Sequence, residues 1–110
     1  MAKFKLVALS RPVAGKEDEF HDWYQNTHLP QIVGLPGGVG AQRYKLVAKL
    51  MGSDVNEYLA IYDIECDDPM QFLGAVGQAS AAGKLTQTEA NDMGTVYTAL
   101  FGELGERVGA

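Results

Sequence analysis

Tyr58-Leu59-Ala60-Ile61-Tyr62-Asp63-Ile64-Glu65 is apolar on both sides of its alternation. Leu59 and Ile61 fall on one face, and Tyr58, Ala60, Tyr62 and Ile64 on the other. The run predicts a strand from about Glu57 to Glu65. A strand with two apolar faces is covered on both sides. A single layer of helices covers only one face of a sheet, so something else must cover the second.

Working outward, Gly52-Ser53-Asp54 and Asn56 make a turn, and Ala41 to Leu50 reads as the preceding strand. Downstream, Asp68-Pro69-Met70-Gln71 is a helix start. Asp68 can cap, Pro69 suits the first helical position, and Gln71 can complete a capping box. Phe72, Leu73, Val76 and Ala79 populate this helix, and Gly83 stops it. Thr86 to Met93 can hold a short extra helical turn, and Thr95 to Phe101 reads as the last strand. The Gly-rich tail after Gly102 takes no assignment.

Toward the N-terminus, Lys3 to Ser10 reads as the first strand, ended by Arg11-Pro12. After Gly15, the acidic Glu17-Asp18-Glu19 suits the positive end of a helix dipole. Phe20, Trp23, Tyr24 and Thr27 fall on one face of that helix. Pro30 disfavours helical geometry at Leu29 and donates no amide, so the helix is expected to stop or kink near His28. Pro30 can also open a short second turn through Val33. Gly34 to Gly40 reads as a loop. The order is β-α-β-β-α-β, the ferredoxin-like split unit of an α+β fold with a four-stranded antiparallel sheet. A second copy of the chain is expected on the sheet face that the helices leave open.

The chain has 110 residues, enough for a single domain over residues 1–110. Its formal charge of -5 repels phosphate backbones and anionic bilayers, so neither nucleic acid nor membrane is expected as a partner. The single Cys66 excludes an intrachain disulfide and a thiolate metal motif. Met1 to Leu9 lacks the apolar stretch of a signal peptide, and no apolar run approaches the ~20 residues of a membrane helix. A cytoplasmic protein is expected.

The chemistry concentrates in Glu19-Phe20-His21-Asp22-Trp23-Tyr24-Gln25-Asn26-Thr27-His28-Leu29-Pro30. His28 lies one turn after Tyr24, so the two side chains can be neighbours. If the helix ends there, its free carbonyls favour a protonated imidazole. An imidazole at a pocket edge gives or takes a proton near neutral pH. A His before Leu-Pro serves equally well as a helix cap. His21 stands two turns earlier, about 10 Å along the axis, which is too far to share a metal ion with His28. It reads as an exposed helical side chain. Asp63 is either a buried acid supporting an imidazole or the strand's exit into solvent. Arg43 is either a ligand for a substrate anion or a solvated strand residue. Tyr62 can line a pocket, where a phenol both packs and hydrogen-bonds. The loop at 34–40 has neither the lysine of a P-loop nor the strand-to-helix setting of a dinucleotide site.

Phe20, then Trp23-Tyr24, then His28-Leu29-Pro30, resembles the F-x-x-W/Y…H-x-P pattern of the EthD-like families, within the dimeric α/β-barrel superfamily. Arg11-Pro12 and Gly15 look like that family's first strand and turn, and Tyr58 to Glu65 resembles its third strand. The resemblance implies a homodimer whose sheets meet face to face, with a cleft between sheet and helices in each subunit. It implies a small-molecule substrate, such as an aromatic or polyketide-like catabolite; no cofactor is expected for it, and no metal, given the lone Cys66 and the distance between His21 and His28. The function it implies is an acid–base isomerase, dehydratase or related lyase. His28 would shuttle the proton and Tyr24 would assist, with Trp23, Phe20, Tyr62, Asp63 and Arg43 around the substrate. An oxygenase of the same fold, cofactor-free or haem-dependent, and a non-catalytic auxiliary protein are the alternatives.

Overall fold

The computed structural model describes the whole chain, Met1–Ala110. Strands β1 (Ala2–Ser10), β2 (Gly38–Lys45), β3 (Tyr58–Cys66) and β4 (Tyr97–Gly102) form one antiparallel sheet in the order β2-β3-β1-β4. Helices α1 (Glu17–Trp23), α2 (Leu29–Val33) and α3 (Pro69–Ala81) complete the fold, with a π-helical turn, Tyr24–His28, joining the first two. This is the expected β-α-β-β-α-β arrangement. No helix is long and apolar enough to cross a membrane.

Register fixes what each face carries. In the β1–β3 pair, Leu6 lies opposite Tyr62 and Ala8 opposite Ala60. In the β1–β4 pair, Leu6 lies opposite Leu100 and Ala8 opposite Thr98. These side chains share the face that packs on the helices, and Leu6, Ala8, Ala60, Tyr62 and Ile64 are buried there. Phe20, Trp23, Tyr24, Leu29, Ile32 and Phe72 close the core from the helical side. The opposite face carries Lys5, Val7, Gln42, Tyr44, Ile61, Asp63 and Phe101. It has no covering layer, and Tyr44 and Phe101 are half exposed.

Pro30 does not end the first helix. Tyr24 and Leu29 keep right-handed helical dihedrals, so α1, the π turn and α2 run on as one body. The Leu29 amide donates to the Tyr24 carbonyl, five residues back. That wider turn relieves the clash a proline ring makes with the carbonyl four residues earlier, here Asn26. Strand β2 begins at Gly38, earlier than predicted, and ends at Lys45. A Cβ at Gly38 would sit 2.3 Å from the Val33 carbonyl oxygen, so only glycine lets the chain turn so tightly from α2 into β2.

Asp68 caps α3 by accepting from the Met70 amide at 3.0 Å. No return bond from the Gln71 side chain forms, so the predicted capping box is half made. Gly83, at φ 72°, ends α3, and the Lys84 amide closes back on the Ala79 carbonyl at 2.9 Å. The predicted helical turn at 86–93 is absent. The segment from residue 84 to 96 is instead an irregular strap across the helical side of the sheet. Two anchors hold it. Near its start, Gln31 clasps Thr86, donating to its hydroxyl and accepting from its amide, each at 3.0 Å. Trp23 Nε1 adds a bond to the Thr86 carbonyl at 2.9 Å. Further on, Pro12 and Asn91 form an antiparallel bridge, and Arg11 pairs with Asp92 at 2.9 Å.

Candidate active site

A cavity of about 250 Å³ lies between the sheet, the helices and the strap. Its floor is Leu6, Ala8 and Ser10 of β1, Tyr62 of β3 and Thr98 of β4. One wall comes from the first helix through Trp23, Tyr24, His28 and Ile32, and the strap contributes Gln87, Asn91 and Met93. None of the sixteen lining residues carries Asp, Glu, Lys or Arg. The cavity is therefore uncharged apart from what His28 brings.

The π turn delivers His28 to this wall. Its ring stacks on Trp23, with centroids 4.5 Å apart and planes 19° from parallel. Tyr24 and Tyr62 meet it edge-on, at 5.2 and 6.3 Å. His28 Nδ1 is buried with no hydrogen-bond partner. Burial among rings pushes its pKa from the ordinary 6.5 down to about 4. The sequence reading expected terminal helix carbonyls to favour the charged ring. The helix continues past His28, so no helix end lies beside the ring, and desolvation decides for the neutral form. A neutral imidazole at pH 7 has a ring nitrogen free to accept a proton, and the same burial makes it a weaker base than a solvated histidine.

Tyr62 is almost completely enclosed, and its hydroxyl has no partner of proper hydrogen-bond geometry. Burial raises its pKa, the adjacent Tyr24 phenol raises it further, and the positive charge of Arg43 opposes both. The phenol stays protonated and can only donate or accept as a neutral group. Asn91 Oδ1 is a third buried atom without a partner. These three atoms belong to cavity residues, while a fourth without a partner, Asn56 Oδ1, lies away from the cavity.

His28, Tyr24, Trp23 and Tyr62 thus meet at one cavity. The other expected contacts do not. Phe20 is fully buried behind Tyr24, with ring centroids 5.4 Å apart, and does not line the cavity. Arg43 shares the helical face of the sheet but stands behind the aromatic wall. Its guanidinium lies 4.9 Å from the Tyr24 ring centre and 2.9 Å from His21 Nδ1. Asp63 projects from the opposite face and pairs with Lys5, its cross-strand neighbour. An odd-numbered β3 residue cannot share a face with Tyr62, so the reading of Asp63 as an acid beside the imidazole is corrected here. His21 is corrected too: it is partly covered, edge-on to Tyr58 at 4.7 Å, and held by Arg43. Burial and the Arg43 charge both lower its pKa. Ser10 was readable from its parity with Leu6 and Ala8. Gln87 and Asn91 were not, because nothing in an irregular segment announces which way it folds.

The chain superposes on an ethyl tert-butyl ether D (EthD) family protein of Bacillus halodurans C-125 with a TM-score of 0.64, over 93% of this chain and 99% of that one, at 22% identity. The fold is that of the EthD-like proteins. A candidate monooxygenase from Shewanella loihica PV-4 gives a TM-score of 0.65 over 96% and 97% of the two chains, at 14% identity. No family model and no curated protein sequence matches the chain. The expected EthD-like architecture is therefore present, and the cavity lies where that resemblance puts a cleft, between sheet and helices. No group of three His, Cys, Asp or Glu side chains is placed to hold a metal ion.

Proposed function

We propose that this EthD-like chain is a cofactor-independent acid–base enzyme acting on a small, flat, uncharged molecule such as a neutral aromatic or polyketide-like catabolite. One observation carries the reading: a neutral imidazole stacked on Trp23 in a cavity without a charged side chain. The His28 imidazole takes a proton from an acidic C–H or O–H of the substrate. It returns that proton to another carbon in an isomerisation, or to a departing hydroxyl, lost as water, in a dehydration. Tyr24 steadies the substrate by a hydrogen bond, and Trp23 offers a flat face for a ring. Tyr62 packs beneath it as part of the floor. Phe20 and Arg43 support Tyr24 from behind.

The test is turnover against a panel of neutral lactones, quinones and polyphenols, with wild type beside His28→Gln. Loss of turnover of roughly 10²–10⁴-fold in a variant that still folds is expected for removal of a general base. Full turnover in His28→Gln would falsify the assignment.

A second reading is a cofactor-free oxygenase, supported by the likeness to the candidate monooxygenase along nearly the whole chain. Removing a proton from a phenol by His28 gives an electron-rich anion able to react with dioxygen, so the same base starts either reaction. Oxygen consumption coupled to substrate loss separates the two. Ligand binding with no change in the ligand would favour an auxiliary protein.

We also infer that two copies pair through the uncovered sheet face. Val7, Ile61, Tyr44 and Phe101 surround the Lys5–Asp63 pair there, a mixed apolar and charged surface of the kind that covers itself.

A further inference from the structure

The lining of the cavity changes across the sheet. On the β3 side it is Tyr62 with Trp23, Tyr24 and Ile32, all buried. Leu6, Ala8 and Ser10 of β1 are buried as well. Beyond β1 lies only β4, the edge strand. There Thr98 stands opposite Ala8 and shares its helical face, yet Thr98 is exposed. Helix α3 shows the same gradient. Phe72, Val76 and Ser80 are four residues apart and make one stripe. Phe72 is enclosed, Val76 is half-buried and Ser80 is exposed.

Val76, Ser80 and Thr98 all line the cavity. Ser80 and Thr98 face inward, by helical phase and by strand register, so solvent reaches them through the opening of the cavity itself. The mouth lies between the C-terminal half of α3 and β4, on the side of the sheet away from the bare face. The strap bounds it with Gln87, which is exposed, and Met93, which is 65% exposed. This rim offers hydroxyl and amide groups and no charge. The interior offers rings and aliphatic side chains, and a polar chain drawn in there would lose its water without finding partners. A ligand longer than the cavity therefore has one stable pose, its apolar end inside and its polar end at the rim.

We propose that the site takes elongated, uncharged amphipathic molecules: a flat apolar head enters between α3 and β4 toward Trp23 and His28, and a neutral tail bearing hydroxyl, ether or amide groups stays outside, beside Ser80, Gln87 and Thr98. The inference rests on the cavity being the substrate site, as proposed above, but not on what His28 does there.

The experiment is calorimetry with three neutral probes: the methyl ether of β-naphthol, its triethylene glycol ether, and a naphthalenediol ether carrying that glycol tail at each of two opposite ends. Wild type binds the single-tailed probe within about threefold of the methyl ether, because a tail left in water orders little. It binds the double-tailed probe at least about a hundredfold more weakly, since the second tail is forced into apolar surroundings. Ser80→Phe and Thr98→Phe narrow the mouth and weaken the single-tailed probe about tenfold, the scale of an overpacked contact. Gln25→Phe puts the same bulk on an exposed position of the first helix and changes nothing. The contrast between one tail and two is read on wild type alone, so it stands even if a rim variant fails to fold. A first tail that abolishes binding, a second tail that costs nothing, or full binding of the single-tailed probe by both rim variants overturns the proposal. If the methyl ether binds and the single-tailed probe does not, this inference falls alone. If the methyl ether does not bind either, the reading of the cavity as the substrate site falls with it. A failure of the acid–base reading, seen by turnover, leaves these binding results standing.

Discussion

A histidine enclosed by Trp23, Tyr24 and Tyr62 gains its proton late as pH falls. In the unfolded chain His28 titrates near 6.5, and in the folded chain near 4. Between those values the unfolded state binds the proton and the folded state does not. Stability from this group is therefore complete above pH 6.5 and is lost as pH falls toward 4, by about 3 kcal/mol. Urea midpoints at pH 7 and pH 4.5 should fall further in wild type than in His28→Gln, and equal falls would contradict the burial of the ring. The acid limb of kcat/KM should likewise lie near pH 4 and not near 6.5. At this scale the sequence was half legible. The Phe20, Trp23, Tyr24 and His28 spacing placed the aromatic wall. The charge state of His28 was misread, because it depended on whether the helix continued. Asp63 was misplaced because a period of two in β3 says that Asp63 and Tyr62 face apart, but not which of them meets the helices.

Among the elements, the four strands and two helical regions follow from alternation, capping and breakers that act over a few residues. Gly83 and Asp68 behave as their types demand. What local signals could not show was the strap at residues 84–96, because its course is set by distant partners. Gln31 and Thr86 are 55 residues apart in sequence, yet they exchange two hydrogen bonds. That clasp is the seam between strap and helix nearest to Trp23. Gln31→Ala should cost about 1–2 kcal/mol and loosen one end of the strap while Arg11 and Asp92 hold the other. Hydrogen exchange at the Thr86 amide, which donates to Gln31, is the direct probe: faster exchange there, with the Val13 amide unchanged, is expected. Unchanged exchange at Thr86 would mean that Trp23 alone fixes this end.

For the molecule as a whole, the accessible surface is 7384 Å² at a mass of 11.9 kDa. A monomeric globular chain of that mass exposes about 6,000 Å². Only 15 of the 110 residues are buried, which is few for a chain with so apolar a sheet. The excess fits a slab with extents of 42 × 41 × 21 Å and a bare face. The sequence pointed to that face through Leu59 and Ile61 before any topology was known. The second copy expected there follows from the need to cover that face, since a partner leaves no local pattern of its own. Sedimentation at tens of micromolar should give a dimer. Ile61→Lys, at the middle of the face, should give a folded monomer that still binds ligand. A wild-type monomer under those conditions would leave the two apolar faces of β3 without their explanation.

The wide turn at Tyr24–His28 has a bearing on how such a chain can change over generations. A π turn is an α-helix that has absorbed one inserted residue while the stretches on either side keep their direction. Removing one exposed residue here, Asn26 for example, would restore an ordinary ladder and return Pro30 to the clash that costs about 3 kcal/mol. The length of this helix and the identity of residue 30 are therefore coupled. Deletion of Asn26 is expected to be poorly tolerated alone and largely rescued by Pro30→Ala, a non-additivity that thermal melts of the two single changes and the double change would expose. Descendants of this sequence can lose the insertion or the proline cheaply only together, so an alignment that treats them as independent characters would misjudge how such chains diverged.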